Sequence, residues 1–224
     1  MFGPVADRLR ERGFETVFLE PGTALAPERI DALDLLVNKK VRWESLRALA
    51  YAHGAGVPAW NGYVPTALLL NRLSQLSALE LSGFSVPELL AEPPEGEYVA
   101  KGLYDVHDEP RVGGEGGIYQ PLLATDGVDH KYYAVDDGER VRVAVVRFES
   151  KLRGERRHLG PGEVDDRVAG PLRRLLRFTG ARGVGVDVVY ADGPVAVDAN
   201  PATSFRRTGL EGALVDSLAA AAGD

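Results

Sequence analysis

The chain has 224 residues, 45% hydrophobic and 26% charged, enough for one large domain or two small lobes that share a cleft. A net charge of −7 argues against nucleic acid as the main partner, and the absence of cysteine removes disulfides, thiolate catalysis and cysteine-bound zinc. The apolar runs fall well short of a membrane span and the first residues lack the basic-then-apolar pattern of a secretory signal, so a cytoplasmic location without a membrane partner is expected.

Residues 2–12 carry helical spacing, with Gly13 as the stop. Thr16–Leu19 and Leu33–Val37 are apolar runs of strand length. Trp43–His53 reads as a helix ended by Gly54 and Gly56. The first sixty residues thus predict an α/β lobe that opens on a helix. Asn71–Ser82 predicts a second helix, residues 87–96 a Pro/Glu linker, Tyr98–Lys101 a strand, and residues 105–117 a loop ending in glycines. Two hairpins follow. One pairs Val128–Val135 with Arg140–Glu149; the other pairs Gly183–Ala191 with Pro194–Ala199 across Asp192-Gly193, a strong hairpin signal. Helices are predicted between the hairpins (Val164–Thr179) and at the end of the chain (Leu210–Ala222), which makes the whole an α+β arrangement.

Only five of the 26 basic residues are lysines: Lys39, Lys40, Lys101, Lys131 and Lys151. Where lysine is kept among so many arginines, a compact ammonium rather than a planar fork is indicated. Arg173, Arg174 and Arg177 read as a solvated helix face. Arg153, Arg156 and Arg157 precede His158, and the last three are candidates for an anionic acceptor.

The second hairpin carries a metal argument. A two-residue loop at Asp192-Gly193 sets Val189 opposite Ala196 and Asp187 opposite Asp198. Period-two alternation then puts Val186, Val188, Tyr190, Val195 and Val197 on a core face, and Asp187, Asp198, Asn200 and Gly185 on the other. Directly opposed carboxylates destabilise a sheet. A divalent cation between them resolves the conflict, and two Asp carboxylates with an Asn carbonyl are the hard oxygen ligands Mg²⁺ prefers. Gly185, opposite Asn200, leaves room for a ligand. Such small all-oxygen sites usually share the ion with substrate phosphates, which points to a nucleotide.

Residues 185–201 resemble the C-terminal metal motif of ATP-grasp proteins, in which an acid on one strand and an acid-x-Asn pair on the next bind Mg²⁺ of ATP; Asp187, Asp198 and Asn200 match it. Tyr98-Val-Ala-Lys101 resembles the strand whose lysine reaches the ATP phosphates. Tyr119-Gln120-Pro121-Leu122-Leu123 resembles the adenine hinge, and Asp129-His-Lys131 the segment after it. Arg147 resembles the arginine on the following strand, and Asn71-Arg72 the usual Asp-Lys at a helix start. The resemblance covers roughly residues 55 to 205 and is nearest the branch of RimK-type ligases and inositol-phosphate kinases. Arginine stands at 72 for the usual lysine, Pro121 removes a hinge donor, and the glycine-rich loop is short for a phosphate lid.

The resemblance implies the ATP-grasp fold, two α+β lobes clasping ATP behind a short α/β lobe: residues 1–62 as the reduced N-terminal lobe, 63–118 as the small lobe and 119–224 as the C-terminal lobe. It implies Mg²⁺ (or Mn²⁺) on Asp187, Asp198 and Asn200. Lys101, Arg72, Gln120, Leu122 and Leu123 would bind ATP, and Lys131 and Arg147 would meet the transferring phosphoryl group. The implied reaction joins a small, anionic carboxylate to an amine through an acyl phosphate. A small-molecule kinase and a non-catalytic nucleotide-binding module are the alternatives. A two-residue turn at Asp137-Gly138 would separate Lys131 from Arg147; a three-residue loop with a glycine bulge opposes Lys131 to Val145 and joins Lys131 and Arg147 on one face, as the catalytic reading requires.

Overall fold

The computed structural model describes residues 3–20, 22–104, 110–150, 152 and 157–223. The chain runs α1 (Gly3–Glu11), α2 (Pro27–Asp31), β1 (Leu36–Val37), α3 (Trp43–Ala55), β2 (Ala59–Trp60), α4 (Tyr63–Leu70), α5 (Arg72–Leu81), β3 (Tyr98–Lys101), β4 (Arg111–Val112) and β5 (Ile118–Pro121). It continues with β6 (Val128–Asp136), β7 (Val141–Glu149), β8 (His158–Pro161), α6 (Asp166–Thr179), β9 (Gly183–Tyr190), β10 (Pro194–Asn200) and α7 (Glu211–Ala222). β1 and β2 form a short parallel pair joined by α3; β4-β3-β5 form a second, antiparallel sheet, and β10-β9-β6-β7-β8 a third, also antiparallel. The expected α+β class holds.

The large sheet is covered on both faces, because both of its alternating side-chain sets are apolar along much of their length. Tyr132, Ala134, Val184, Val186, Val188 and Ala199 pack on α4, α5 and α6. Helix α6 presents Val168, Leu172, Leu175 and Leu176 as one buried stripe at helical spacing, each Leu contributing about 2 kcal/mol by burial. It starts where Asp165 accepts from the Arg167 amide and stops at left-handed Gly180. On the other face Tyr133, Val135 and Val146 pack with Trp60, Phe205 and the α7 leucines. Arg173, Arg174 and Arg177 are exposed, as a solvated face requires.

Several elements depart from the sequence reading. Thr16–Leu19 forms no strand: Val17 and Phe18 are 65% and 59% exposed, and the pair β1–β2 it would extend is only two residues long. Helix α4 is an extra element; its residues are too uniformly apolar to show a face. The tip of the second hairpin has three residues, since Tyr190 pairs with Pro194. A β-bulge at Val197 then restores the expected pairs Asp187–Asp198 and Gly185–Asn200. Ala196, rather than Val195 or Val197, is therefore the fully buried residue of that stretch.

Candidate nucleotide and metal site

The site is built on one cross-strand row. Pairings across β7, β6, β9 and β10 set Val146, Lys131, Asp187 and Asp198 side by side on one face. Lys131 Nζ lies 3.0 Å from Asp187 Oδ1. Burial opposes the Lys131 charge most strongly, but Asp187, Tyr133 and Asp198 together outweigh it and raise the ammonium above its ordinary range. Asp198 Oδ1 accepts from Arg72 Nη1 at 2.5 Å, and Arg72 is 1% exposed. The opposed carboxylates are thus each partnered by a cation of the chain itself, so their opposition does not by itself demand a metal. The oxygen donor set still suits Mg²⁺: two carboxylates and the Asn200 carbonyl occupy the same face, and that carbonyl also accepts from the Ala202 amide at 2.8 Å. Among the described residues no cluster of three His, Cys, Asp or Glu side chains exists, so an ion here would draw its remaining ligands from a nucleotide or water.

Lys101 comes from the small sheet. It is 6% exposed, and its Nζ donates to the Val197 carbonyl at 2.8 Å. The bulge that restores the Asp register thus also supplies the carbonyl that receives this lysine. Gln120, on β5 opposite Val99, is 2% exposed and its Nε2 has no hydrogen-bond partner among the described residues, a buried donor suited to a ligand acceptor atom.

Other expected residues fall elsewhere. The Leu122 N–H donates to Glu97 O at 2.9 Å, so that hinge donor is already used. Leu123 is half-buried beside it. Four residues, 137–140, separate Asp136 from its partner Val141, so Lys131 pairs with Val146 and Arg147 with His130. Arg147 is therefore on the opposite face from Lys131 and exposed, which contradicts the shared-face geometry required for it. His130 is drawn into an edge-on contact with Tyr190, ring centroids 4.7 Å apart. Gly185 leaves no room for a ligand: a Cβ there would meet Thr203 Oγ1 at 2.6 Å and Lys131 Cε at 3.1 Å. The amides of Gly113, Gly116 and Gly117 donate to Tyr98 O, Tyr119 Oη and Lys101 O, so these glycines pack the loop on β3 and are not offered to phosphate. Arg157 pairs with Glu149, and His158 begins β8, at the sheet edge opposite β10. Arg153 and Arg156, with Lys151, lie outside the described residues.

Sequence reasoning missed Lys39 and Thr203 as neighbours of the site. Lys39 Nζ donates to Thr203 O at 2.6 Å and lies 5.5 Å from the Trp60 ring centroid and 5.2 Å from that of Phe205. The scarcity of lysine was the available signal.

No protein-family model matches the sequence, and no curated protein matches it. Solved structures do. The ATP-grasp ligase PsnB, complexed with a phosphomimetic variant of its minimal precursor, Mg and ADP, matches at TM-score 0.68 and 20% identity, over 97% of this chain and 93% of that one. The macrocyclase MdnC of Microcystis aeruginosa, bound with precursor peptide MdnA, matches at 0.67 and 11%, over 96% and 94%. The VanG D-Ala:D-Ser ligase of Enterococcus faecalis matches at 0.67 and 12%, over 85% and 73%. The chain has the ATP-grasp fold. No helix among its described residues is long and apolar enough to cross a membrane.

Proposed function

We propose that the chain is a Mg-ATP-dependent ligase that phosphorylates a carboxylate and passes the resulting acyl phosphate to an amine. The carrying observation is the convergence of two sheets at one spot. Lys131, Asp187 and Asp198 lie in one row of the large sheet, and the Lys101 ammonium arrives from the small sheet at the residue before Asp198. In this reading Asp187, Asp198 and Asn200 hold Mg²⁺, which supplies charge neutralisation on the phosphates when bound. Lys101 and Lys131 give positive charge to the phosphate chain, and Gln120 Nε2 meets an acceptor on the adenine. The γ-phosphoryl group moves to a carboxylate oxygen with ADP as leaving group; the amine nitrogen then attacks the acyl carbon and phosphate departs. Arg147 has no part in this. The ADP and Mg in the PsnB complex and the ligase chemistry named for VanG support the reading. The peptide bound to MdnC supports extending the acceptor from a free small acid to a carboxylate carried on a peptide.

Hydroxylamine trapping separates the reactions. With Mg-ATP, hydroxylamine and a panel of free and peptide-borne carboxylates, a ligase forms a hydroxamate in step with ADP. ADP release tracking a phosphorylated hydroxyl, with no hydroxamate, would replace the ligase with a kinase. No ADP release with any acid would leave a binding module.

A further inference from the structure

The acceptor charge must be met somewhere, and Arg157, one of the residues expected to meet it, is engaged by Glu149 next to the sheet edge opposite β10. Beside Asn200 lies a different basic feature. A pocket of about 180 Å³ is bounded by Lys39, Lys40 and Val41 from the β1–α3 loop, by Leu69 and Leu70 from α4, and by Asn200. We propose that this pocket binds the carboxylate of the acceptor, with Lys39 and Lys40 as its cationic wall; this rests on the ligase reading above for its role in turnover.

The loop is built to hold these residues. The Asn38 amide donates to Trp60 O at 3.0 Å, and Asn38 Oδ1 accepts from the Lys40 amide at 3.2 Å. Ser45 Oγ donates to Lys40 O at 2.7 Å and accepts from the Arg42 amide at 2.8 Å. Lys39 is half-buried, its ammonium beside both the Trp60 and the Phe205 ring and donating to the Thr203 carbonyl, while Lys40 is exposed. Burial lowers the Lys39 ammonium to about 8, and an anion placed against it would favour its charged form. Val41 and the edge of Leu70 offer hydrocarbon contact to the carbon stem of an acid. A space of about 180 Å³ is enough for a side-chain-sized carboxylate. Asn200, which lines the pocket, follows Asp198 by two residues on the same face of β10, so the pocket adjoins the proposed metal set.

Glutarate serves as probe and glutaramide as its uncharged counterpart, titrated calorimetrically into the full chain without nucleotide. The expected result is glutarate binding that glutaramide does not compete, weakened at least about tenfold in Lys40→Ala and in Lys39→Met. Lys39→Met keeps an unbranched side chain of similar length beside the two rings, and Lys40→Ala changes only an exposed residue, so Lys40→Ala decides the matter if Lys39→Met does not fold. No glutarate binding by the wild type, equal binding of glutaramide, or undiminished binding by Lys40→Ala overturns the proposal. Mg-ATP binding is measured in parallel. Its loss with lysine-dependent glutarate binding intact sinks the ligase reading alone; the converse sinks the pocket alone.

Discussion

A guanidinium that is 1% exposed has to be neutralised where it lies, and Arg72 meets this requirement through Asp198. The sequence suggests Arg72 as a phosphate contact in place of lysine. In the fold it pairs with Asp198, a carboxylate of the proposed metal set. Breaking such a pair from one side leaves a charge with poor solvation. Arg72→Ala should therefore cost about 3 kcal/mol, the low end for a buried pair because Asp198 keeps some solvent contact. Asp198→Asn, whose amide oxygen still accepts from the guanidinium, should cost about half of that. Urea unfolding of both variants checks this, and equal, sub-kilocalorie losses would show the pair to be incidental. The carboxylates themselves were legible because strand alternation is local. Their partner was not, since 126 residues separate Arg72 from Asp198 and no spacing rule spans that gap.

Register is decided at the level of elements, and one turn decides most of it here. Asp137 accepts from the amides of Glu139 and Arg140 and from Arg142 Nε at 2.6 Å, which closes a four-residue loop where a shorter turn is suggested by Asp-Gly. One extra residue in the loop moves every side chain of β7 to the other face relative to the three-residue alternative, and it carries Arg147 away from Lys131. The Arg142 guanidinium, with the Arg140 and Glu139 amides, holds the Asp137 carboxyl at about 2 against the opposing effect of burial. A carboxyl with a depressed native pKa stabilises the fold above its ordinary value of 3.8, and that contribution disappears as pH falls from about 4 to about 2. Asp137→Ala should thus lower stability at pH 7 by about 1–2 kcal/mol and flatten the decline of stability between pH 4 and 2. Thermal melts of wild type and variant across that range test it; parallel declines would contradict the assignment. Side-chain closure of a turn is what the dipeptide could not reveal. In the second hairpin an extra tip residue and the bulge at Val197 cancel each other, so the Asp187–Asp198 pairing survives a wrong turn length.

Across the whole molecule, polar bridges fasten the N-terminal segment to the large sheet and α7. Asn61, 1% exposed, donates to Gly183 O and Pro201 O and accepts from the Arg182 amide; Trp60 Nε1 donates to Ser217 Oγ at 2.9 Å. With Lys39 on Thr203, these contacts hold the β1–α3 loop against the end of β10, beside Asn200. The α+β class and the late hairpins were legible from periodicity and turn residues. The assembly of this corner was not, because each bridge joins positions more than a hundred residues apart. The proposed activity requires that corner and the neighbouring carboxylate row to meet a nucleotide with its metal. The most direct measurement is calorimetric affinity for ATP with and without Mg²⁺, on the wild type and on Asp198→Asn combined with Asn200→Ala, a pair that keeps an acceptor for Arg72. Wild type should bind ATP at least about tenfold more tightly with Mg²⁺, and the double variant should lose that gain while retaining metal-free binding. A wild type that binds no nucleotide, or a Mg²⁺ effect unchanged in the variant, would contradict it.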